Sequence, residues 1–451
     1  MHLLRTILLL AACGLTLHAA PSRPPNVVVL LVDDLGWGDV SCLNAGEVRT
    51  PHIDRIAQSG VKFTSGYVTT PLCGPSRAGF LSGVYPQRFG FVDNSGGIPT
   101  TQPLLPGVLR QAGYRTALIG KWHSTGPMPH ERGIFDETLC SPVSSPFIDF
   151  HHPKLARNGV VEEHHEYSTD LFTREAVAFI TRNQARPFAL TVTFNAPHIL
   201  RVVKNAQIIR REYDEALAAG RTLDIPKVPM ARPGEAAHYA SQFPGDTARA
   251  DTVATIAALD EGVGRILDAL QAAGIDRNTI VLFFGDNGGH PENRSESRPL
   301  RDYKWSLYEG GIRVPFLASY PGTFPAGRTF SHPVSTLDLF ATCVALTGAK
   351  PPPRLDGVNL TPFLTGEIST PPHDALYFSI SGIGAVRQGV WKLLLPPGAS
   401  PQLYDLSADL GEKNDLAAAQ PERVQALKAK WQAWHAQMPV PTPPQKKKQQ
   451  P

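Results

Sequence analysis

From Asn26 to Val32 the chain reads NVVVLLV, an apolar run that ends at two adjacent aspartates, Asp33 and Asp34. A run of this kind is typical of a strand that is buried on both faces of a parallel sheet. The two carboxylates repel each other unless a cation neutralises them, which indicates a hard divalent metal ion. A solvated turn with a capping Asp is the alternative.

Three further apolar runs end in polar, glycine- or proline-bounded turns. They are Thr116–Ile119 before Gly120-Lys121-Trp122-His123, Phe188–Phe194 before Asn195-Ala196-Pro197-His198, and Thr279–Phe284 before Gly285-Asp286-Asn287. In open parallel α/β sheets, ligands bind beyond the carboxyl ends of the strands. We therefore expect the four turns to converge on one crevice.

Helical patterns alternate with these runs. We predict helices over Pro51–Ser59, Leu105–Gln111, Thr169–Asn183 and Thr252–Ala273. Glycines follow most of them, as is usual at helix ends. The alternation of strand and helix predicts a doubly wound α/β layer, with a large parallel or mixed sheet flanked by helices.

The chain of 451 residues is long enough for a catalytic α/β domain, expected over 24–366, and a smaller α+β domain over 372–438. The smaller domain is predicted from strand-like segments and a final helix: Leu376–Ser381, Ile383–Arg387, Val390–Leu395 and Pro421–Gln437. The tail 439–451 has little apolar content and is predicted to be disordered. A net charge of +3 gives no indication of a nucleic-acid partner.

Residues 1–20 resemble a secretory signal peptide, with Arg5 before an apolar run and small residues at the end. The run is too short to cross a bilayer, and no later stretch is apolar enough to do so. We therefore expect export to the periplasm or the exterior. Cleavage and lipidation at Cys13 are the alternative. Export would allow a disulfide among Cys42, Cys140 and Cys343, but the sequence leaves the pairing open.

Cys73 stands just before a helical turn that opens at Pro75 and is closed by Gly83. We predict a short helix from Pro75 to Ser82 with the sulfur at its N-terminus. Free backbone N–H groups and the charge of Arg77 would favour an anion there. A buried structural cysteine beside a surface arginine is the alternative reading of the same residues.

The segment Cys73-Gly74-Pro75-Ser76-Arg77, followed by Ala78, Leu81, Ser82 and Gly83, resembles the signature of the formylglycine-dependent, arylsulfatase-like sulfatases. The resemblance extends from Asn26 to the last helix, which contains Trp431. It implies an alkaline-phosphatase-like fold and the oxidation of Cys73 to an aldehyde. A formylglycine-generating enzyme or an anaerobic maturase would be the partner that carries out this oxidation.

The resemblance also implies a role for each site residue. Asp33, Asp34, Asp286, Asn287 and the modified Cys73 would bind calcium, which these oxygen ligands favour over magnesium. Arg77 and His123 would hold the hydrated aldehyde, Lys121 and Lys304 the sulfate oxygens, and His198 would protonate the leaving alcohol. One hydroxyl of the hydrated aldehyde would attack sulfur, and deprotonation of the other, by His123, would release sulfate.

Three positions depart from the common pattern of this family. Ser124-Thr125 follow His123 where Leu-Gly is usual, Leu200 replaces a proline, and Asp302-Tyr303 stand where glycines are frequent before Lys304. The catalytic atoms are unaffected, but the shape of the substrate pocket is left open.

Two segments, Asp136–Glu166 and Arg201–Pro244, are expected to be irregular insertions that form a lid or a substrate wall. The pairs His151-His152 and His164-His165 have the chemistry of metal ligands, but we interpret them as solvated loop histidines.

The sequence therefore predicts an exported sulfatase that acts on a sulfated carbohydrate or polysaccharide fragment. A phosphoester or phosphonate hydrolase is the alternative, because such anions fit the same cluster of charges. A non-catalytic protein that binds sulfated glycans would result if Cys73 stayed a thiol.

Overall fold

The computed structural model describes residues 23–44, 46–144, 147–199 and 229–439. The predicted signal peptide 1–20 lies outside these ranges. So do Leu200, most of the predicted insertion Arg201–Pro244, and the predicted tail apart from Pro439.

The strands form one large and two small sheets. Their bounds are β1 Asn26–Val32, β2 Val61–Phe63, β3 Gly66–Tyr67, β4 Arg115–Gly120, β5 Glu137–Cys140, β6 Lys154–Arg157, β7 Val160–Glu163, β8 Phe188–Phe194, β9 Thr279–Gly285, β10 Phe316–Ser319, β11 Arg328–Phe330, β12 Val334–Ser335, β13 Leu376–Ile380, β14 Ile383–Gln388, β15 Trp391–Leu395 and β16 Gln402–Asp405. The large sheet has ten strands in the order β11-β2-β10-β9-β1-β8-β4-β5-β6-β7.

Ten α-helices lie within the described residues. They are α1 Pro51–Gln58, α2 Cys73–Ser82, α3 Leu105–Gln111, α4 Ser168–Asn183, α5 Glu235–Tyr239, α6 Thr247–Ala272, α7 Glu309–Ile312, α8 Leu337–Thr347, α9 Thr361–Thr365 and α10 Pro421–His435. Apolar side chains of α1, α4 and α6 pack on one face of the large sheet, and those of α2, α3 and α8 on the other. This confirms the predicted α/β layering.

Strand β1 lies at the centre of the large sheet and is buried on both faces. Val28, Leu30 and Val32 belong to one apolar cluster, whereas Val27, Val29 and Leu31 belong to the other. Burying one such side chain contributes about 1.5–3 kcal/mol. The uniformly apolar sequence of β1 therefore follows from its position between two helical layers.

The four strands whose ends were predicted to converge are neighbours, in the order β9-β1-β8-β4, and all run parallel. Val32 is in register with Phe194 on one side and Gly285 on the other. Their carboxyl ends are therefore level along one edge of the sheet, and the turns that follow them lie side by side.

Three helix and strand predictions need correction. The segment Asp136–Glu166, expected to be irregular, contains β5, β6 and β7, which extend the large sheet to its edge. Helix α6 begins at Thr247 instead of Thr252, because the Asp246 side chain caps it by accepting from the Arg249 N–H at 3.0 Å. Helix α2 begins at Cys73, two residues earlier than predicted.

The C-terminal part is an antiparallel sheet, β13-β14-β15-β16, with α10 packed on it, as predicted. A methyl group on Gly384 would overlap the Trp431 indole, so this glycine lets the helix lie close to the sheet. The domain boundary between residues 366 and 372 stays a prediction.

Cys42, Cys73, Cys140 and Cys343 are free thiols, so the pairing that the sequence left open is not made in this structure. Within the described ranges, every helix is too short or too polar to cross a membrane.

Candidate active site

The turns after β1 and β9 carry Asp33, Asp34, Asp286 and Asn287, and they bring the last three of these into contact with one another. The Asp286 N–H donates to the Val32 carbonyl at 2.9 Å, and the Asp34 N–H donates to Asp286 Oδ1 at 3.3 Å. The Asn287 Nδ2 atom donates to Asp34 Oδ1 at 2.7 Å. Asp34 has a positive φ of 59°, which aspartate tolerates better than most residues and which turns the chain sharply after the strand.

Three oxygen atoms in this group have no hydrogen-bond donor among the described residues, although all are buried. They are Oδ1 of Asp33, Oδ2 of Asp34 and Oδ1 of Asn287. Buried acceptors without a partner cost free energy, and anionic ones cost more. Their chemistry, oxygen donors with negative charge, fits a hard divalent cation such as calcium.

Helix α2 places Cys73 beside these carboxylates. All ten of its residues are buried, and its first turn is closed by the Ser76 N–H, which donates to the Leu72 carbonyl at 2.9 Å. Ligand atoms of Asp33, Asp34, Cys73 and His198 lie within 4.8 Å of one another. The structure therefore brings together the predicted modified residue and two predicted metal ligands, with His198 among them.

Three basic side chains balance the three carboxylates. Arg77 Nε donates to Asp286 Oδ2 at 2.8 Å, and Arg77 Nη2 lies 3.3 Å from Asp33 Oδ2. The Lys121 ammonium contacts Asp33, and the Lys304 ammonium lies 2.5 Å from Asp34 Oδ1 and 2.9 Å from Cys73 Sγ. Without a cation the site is close to electrically neutral.

Burial and these charges move the pKa values of the acidic groups. Burial raises the pKa of the Cys73 thiol to about 12, although Lys304 opposes this, so the unmodified thiol is neutral. Burial and the neighbouring Asp33 raise the pKa of Asp286 to about 7. The pKa of Asp33 lies well below its usual value, because Lys121 and other cations outweigh the effect of burial.

The two predicted catalytic histidines are also buried. His198 Nε2 lies 3.6 Å from Asp34 Oδ2, and its Nδ1 lies 2.9 Å from the Ile199 carbonyl, so the proton belongs on Nδ1. Burial lowers the pKa of His198 to about 4. His123 lines a small cavity with Gly74, Arg77 and Lys121, and burial together with Lys121 lowers its pKa to about 2.

Three residues that the sequence did not single out support the site. Asn195 Nδ2 donates to the Ile148 carbonyl at 3.2 Å, Asn293 Nδ2 to the Pro197 carbonyl at 2.7 Å, and Ser295 Oγ to the Asp34 carbonyl at 3.0 Å. Asn195 follows a predicted strand and could have been found. Asn293 ends a short 3-10 helix and Ser295 lies just beyond it, and no sequence pattern marks either residue.

The histidine pairs of residues 151–165 lie apart from this site. His152 and His165 approach each other at 3.4 Å between Nδ1 atoms, and His151 contacts the Pro229 carbonyl. In the described ranges, no group of three or more metal-ligating side chains contains them. Their interpretation as loop histidines is therefore kept.

The family profile described as Sulfatase matches residues 25–349. The chain belongs to the sulfatase family. A second profile, N-sulphoglucosamine sulphohydrolase, C-terminal, matches residues 301–434 of the sulfatase. The resemblance seen around Cys73 is thus confirmed, and the protein is a sulfuric ester hydrolase. Sulfatases of this family generally use a formylglycine and a divalent metal ion, and the buried cluster supplies suitable ligand types.

Two curated relatives and one solved structure cover most of the sulfatase. It is 33% identical to N-acetylgalactosamine-6-sulfatase of Mus musculus over 86% of this chain and 74% of the relative. It is 31% identical to arylsulfatase A of Homo sapiens over 94% and 89%. The crystal structure of Ps i-CgsB has a TM-score of 0.82 and 29% identity, covering 93% of this chain and 94% of that chain. Ps i-CgsB also has a structure in complex with k-i-k-neocarrahexaose.

Proposed function

We propose that the protein is an exported sulfatase that hydrolyses O-sulfate esters of a sulfated carbohydrate, with formylglycine made from Cys73 and a calcium ion. The supporting observation is the position of Cys73 Sγ, 2.9 Å from the Lys304 ammonium and beside buried carboxylates. Some oxygens of these carboxylates have no hydrogen-bond donor in the part of the chain that the structure describes.

The calcium ion would be held by Asp33, Asp34, Asp286, Asn287 and an oxygen of the modified Cys73. When bound, it would acidify a coordinated hydroxyl and withdraw charge from the sulfate oxygens. The hydrated aldehyde would supply one hydroxyl as the nucleophile toward sulfur and a second whose deprotonation releases sulfate.

The charge balance of the site supports an anionic substrate. Three carboxylates and three cationic side chains nearly cancel, so a divalent cation leaves the site positive. The cation would weaken the attraction of Asp33 for Lys121 and of Asp34 for Lys304, so both ammonium groups could then contact an anion. Lys121 and Lys304 bind the sulfate oxygens, and Arg77 orients the modified residue against Asp286. Loss of one such preorganised donor typically costs about 3 kcal/mol, or roughly two orders of magnitude in rate.

The two histidines carry protons at different stages. His198 Nε2 faces Asp34 and the space above Cys73, where the leaving oxygen would lie. The pKa of His198 is low in the free protein, but the negative charge of a bound sulfate ester would raise it, so His198 would be protonated when it is needed as an acid. His123 is neutral and accepts the proton of the second hydroxyl.

Carbohydrate is the proposed substrate class. The relatives that support it are an N-acetylgalactosamine-6-sulfatase and a structure that binds a neocarrahexaose. The predicted signal peptide supports export, and a maturase of the host would convert Cys73.

Mass spectrometry of the Cys73 peptide, purified from the native host, tests the first step. We expect an aldehyde or its hydrate in place of the thiol, and a thiol throughout active material would overturn the proposal. Hydrolysis of a sulfate and a phosphate ester of one phenol tests the second step. A strong preference for phosphate would show that the substrate class is wrong.

A further inference from the structure

A cluster of buried charges lies behind the loop that carries Lys304. Lys392 Nζ, on β15 of the C-terminal sheet, lies 2.9 Å from Glu309 Oε1 and 2.8 Å from Glu412 Oε1. All three side chains are 0% exposed. We call these three residues the Lys392 cluster.

A contribution to folding stability does not by itself explain why these three charged residues are buried together. Removing three charges from water is costly, and replacing a buried ion triad with apolar residues is often neutral or stabilising. The contacts of Glu309 are directional instead. Its Oε2 atom accepts from the Tyr67 hydroxyl at 2.7 Å and from Arg313 Nη1 at 3.2 Å. The cluster therefore holds Glu309, the first residue of α7, in one place.

Helix α7 contacts two of the loops that build the active site, the one that carries Lys304 and the one that carries Asn287. The Gly310 N–H donates to the Arg301 carbonyl at 2.7 Å, in the segment that leads to Lys304. The Gly288 N–H donates to the Gly311 carbonyl at 3.0 Å, next to Asn287. A methyl group on Gly310 would overlap the Asp302 carbonyl, so these backbones are packed without free space.

Glu412 makes a second connection to the same loop. Its Oε2 atom accepts from the Glu309 N–H at 2.7 Å, and its carbonyl accepts from Arg301 Nη1 at 2.7 Å. Arg301 lies three residues before Lys304. The C-terminal sheet thus reaches the Lys304 loop through both α7 and Arg301.

The Lys304 loop needs such support because its backbone is strained. Asp302 and Trp305, on either side of Lys304, have positive φ values of 66° and 74°. A bulky residue such as tryptophan rarely adopts this conformation, and it persists only where the surroundings hold it. If the support were weakened, the loop would relax and carry the Lys304 ammonium away from Cys73.

We propose that the Lys392 cluster is a positioning device through which the C-terminal sheet fixes Lys304 and Asn287 for catalysis. This inference rests on the proposed function, in which Lys304 binds sulfate and Asn287 binds calcium. Lys392, Glu309 and Glu412 themselves touch neither substrate nor metal.

The variant Lys392→Met tests the proposal, because it keeps the length of the side chain and removes its charge. Leu393→Ala is the matched control: Leu393 is the next residue on β15, equally buried, and faces the apolar cluster under α10. Both variants lose stability, so they are compared at a temperature where both are folded. We expect Lys392→Met to lower kcat/KM by about 10- to 100-fold and Leu393→Ala to leave it unchanged.

Calcium is titrated into the protein with an unmodified Cys73 thiol, and binding is measured by the rise in the thermal unfolding temperature. This readout is independent of turnover. Lys392→Met should bind calcium more weakly than Leu393→Ala. Equal kcat/KM and equal calcium affinity in the two variants would overturn the proposal. If Lys392→Met does not fold, Arg301→Gln is tested instead, because Arg301 is exposed and its substitution should not prevent folding. Arg301→Gln should lower kcat/KM, since it removes the contact with the Glu412 carbonyl, and an unchanged kcat/KM would overturn the proposal.

Failure of the proposed function would give a different result from failure of the positioning role. The wild-type protein would then carry the aldehyde and bind calcium but cleave no sulfate ester. The calcium titrations would still test the positioning of Asn287.

Discussion

The Lys304 ammonium lies 2.9 Å from the Cys73 sulfur, although the two residues are 231 positions apart in the chain. The same ammonium lies 2.5 Å from Asp34 Oδ1. Burial lowers the pKa of Lys304, but Asp34 and the other acidic groups of the site together raise it by more, so the side chain keeps its charge. In the proposed function, this cation would meet the negative charge that develops on a sulfate oxygen.

Lys304→Met should lower kcat/KM for a sulfate ester by roughly a hundredfold, equivalent to about 3 kcal/mol, because one preorganised donor to the sulfate is lost. Steady-state kinetics on preparations of equal aldehyde content measure the effect. Lys154→Met is the control, since Lys154 is exposed on β6. A loss of less than about threefold, or an equal loss in the control, would argue against a sulfate contact.

Cys73→Ala should abolish turnover and leave the fold intact, because alanine is compatible with the first turn of α2. Activity assays and thermal unfolding of protein made with a maturase measure the two effects. Cys140→Ala is the control: Cys140 is another buried free thiol, on β5, and its loss should cost stability without loss of turnover per folded molecule. Residual turnover in Cys73→Ala would contradict a nucleophile derived from Cys73.

The centre of the fold and most of the site could be predicted from local patterns. Strand β1 is apolar on both faces because helices cover both, and Asp33 and Asp34 follow at its end. The same reasoning identified Lys121, His198 and Asp286, because parallel strands end on one edge of a sheet. The topology of the sheet brings such residues close together, so their proximity can be predicted even when they are far apart in the sequence.

Other features depend on contacts between distant segments and left no local signal. Strands β6 and β7 at the edge of the sheet have only four residues each, and they form because β6 pairs with β5 and β7 pairs with β6. Lys392 reads as an ordinary charged residue within a predicted strand, yet it is fully buried against Glu309. Lys304 itself was assigned by resemblance, since nothing in its own loop predicts that it reaches Cys73.

Removing divalent metal should destabilise the protein. Oxygens of Asp33, Asp34 and Asn287 that have no hydrogen-bond donor among the described residues repel one another less when a cation lies between them. A ligand present at 100 times its Kd stabilises a folded protein by about 2.7 kcal/mol. Urea unfolding in calcium and in excess EDTA measures the difference. The same urea unfolding in magnesium shows which of the two ions stabilises the protein more, and we expect calcium to do so.

Asp34→Asn serves as the control for this experiment, because it removes one of the anionic ligands. Its unfolding should depend much less on calcium than that of the unchanged protein. If calcium and EDTA give the same unfolding curve for the unchanged protein, the metal does not bind at this site.

The stability of the C-terminal part should depend on pH through His373. Its Nε2 atom lies 2.9 Å from both carboxylate oxygens of Asp338, near the start of α8. Burial lowers the pKa of His373, but the charge of Asp338 and its hydrogen bond to the ring together raise it by more, so the pKa lies above the usual 6.5. Asp338 also accepts from the Ser335 and Val358 N–H groups, which keeps its position fixed.

A raised pKa in the folded state means that the protonated His373 stabilises the fold. This contribution is complete below the pKa of the unfolded chain, near 6.5, and is lost as the pH rises through the higher pKa of the folded state. His373→Gln should therefore cost about 2 kcal/mol of unfolding free energy below about pH 6, and less at higher pH. Urea unfolding of both proteins across this range measures the difference, with the exposed His238→Gln as the control. A cost that stays constant or grows with pH would show that the His373–Asp338 contact is not an ion pair.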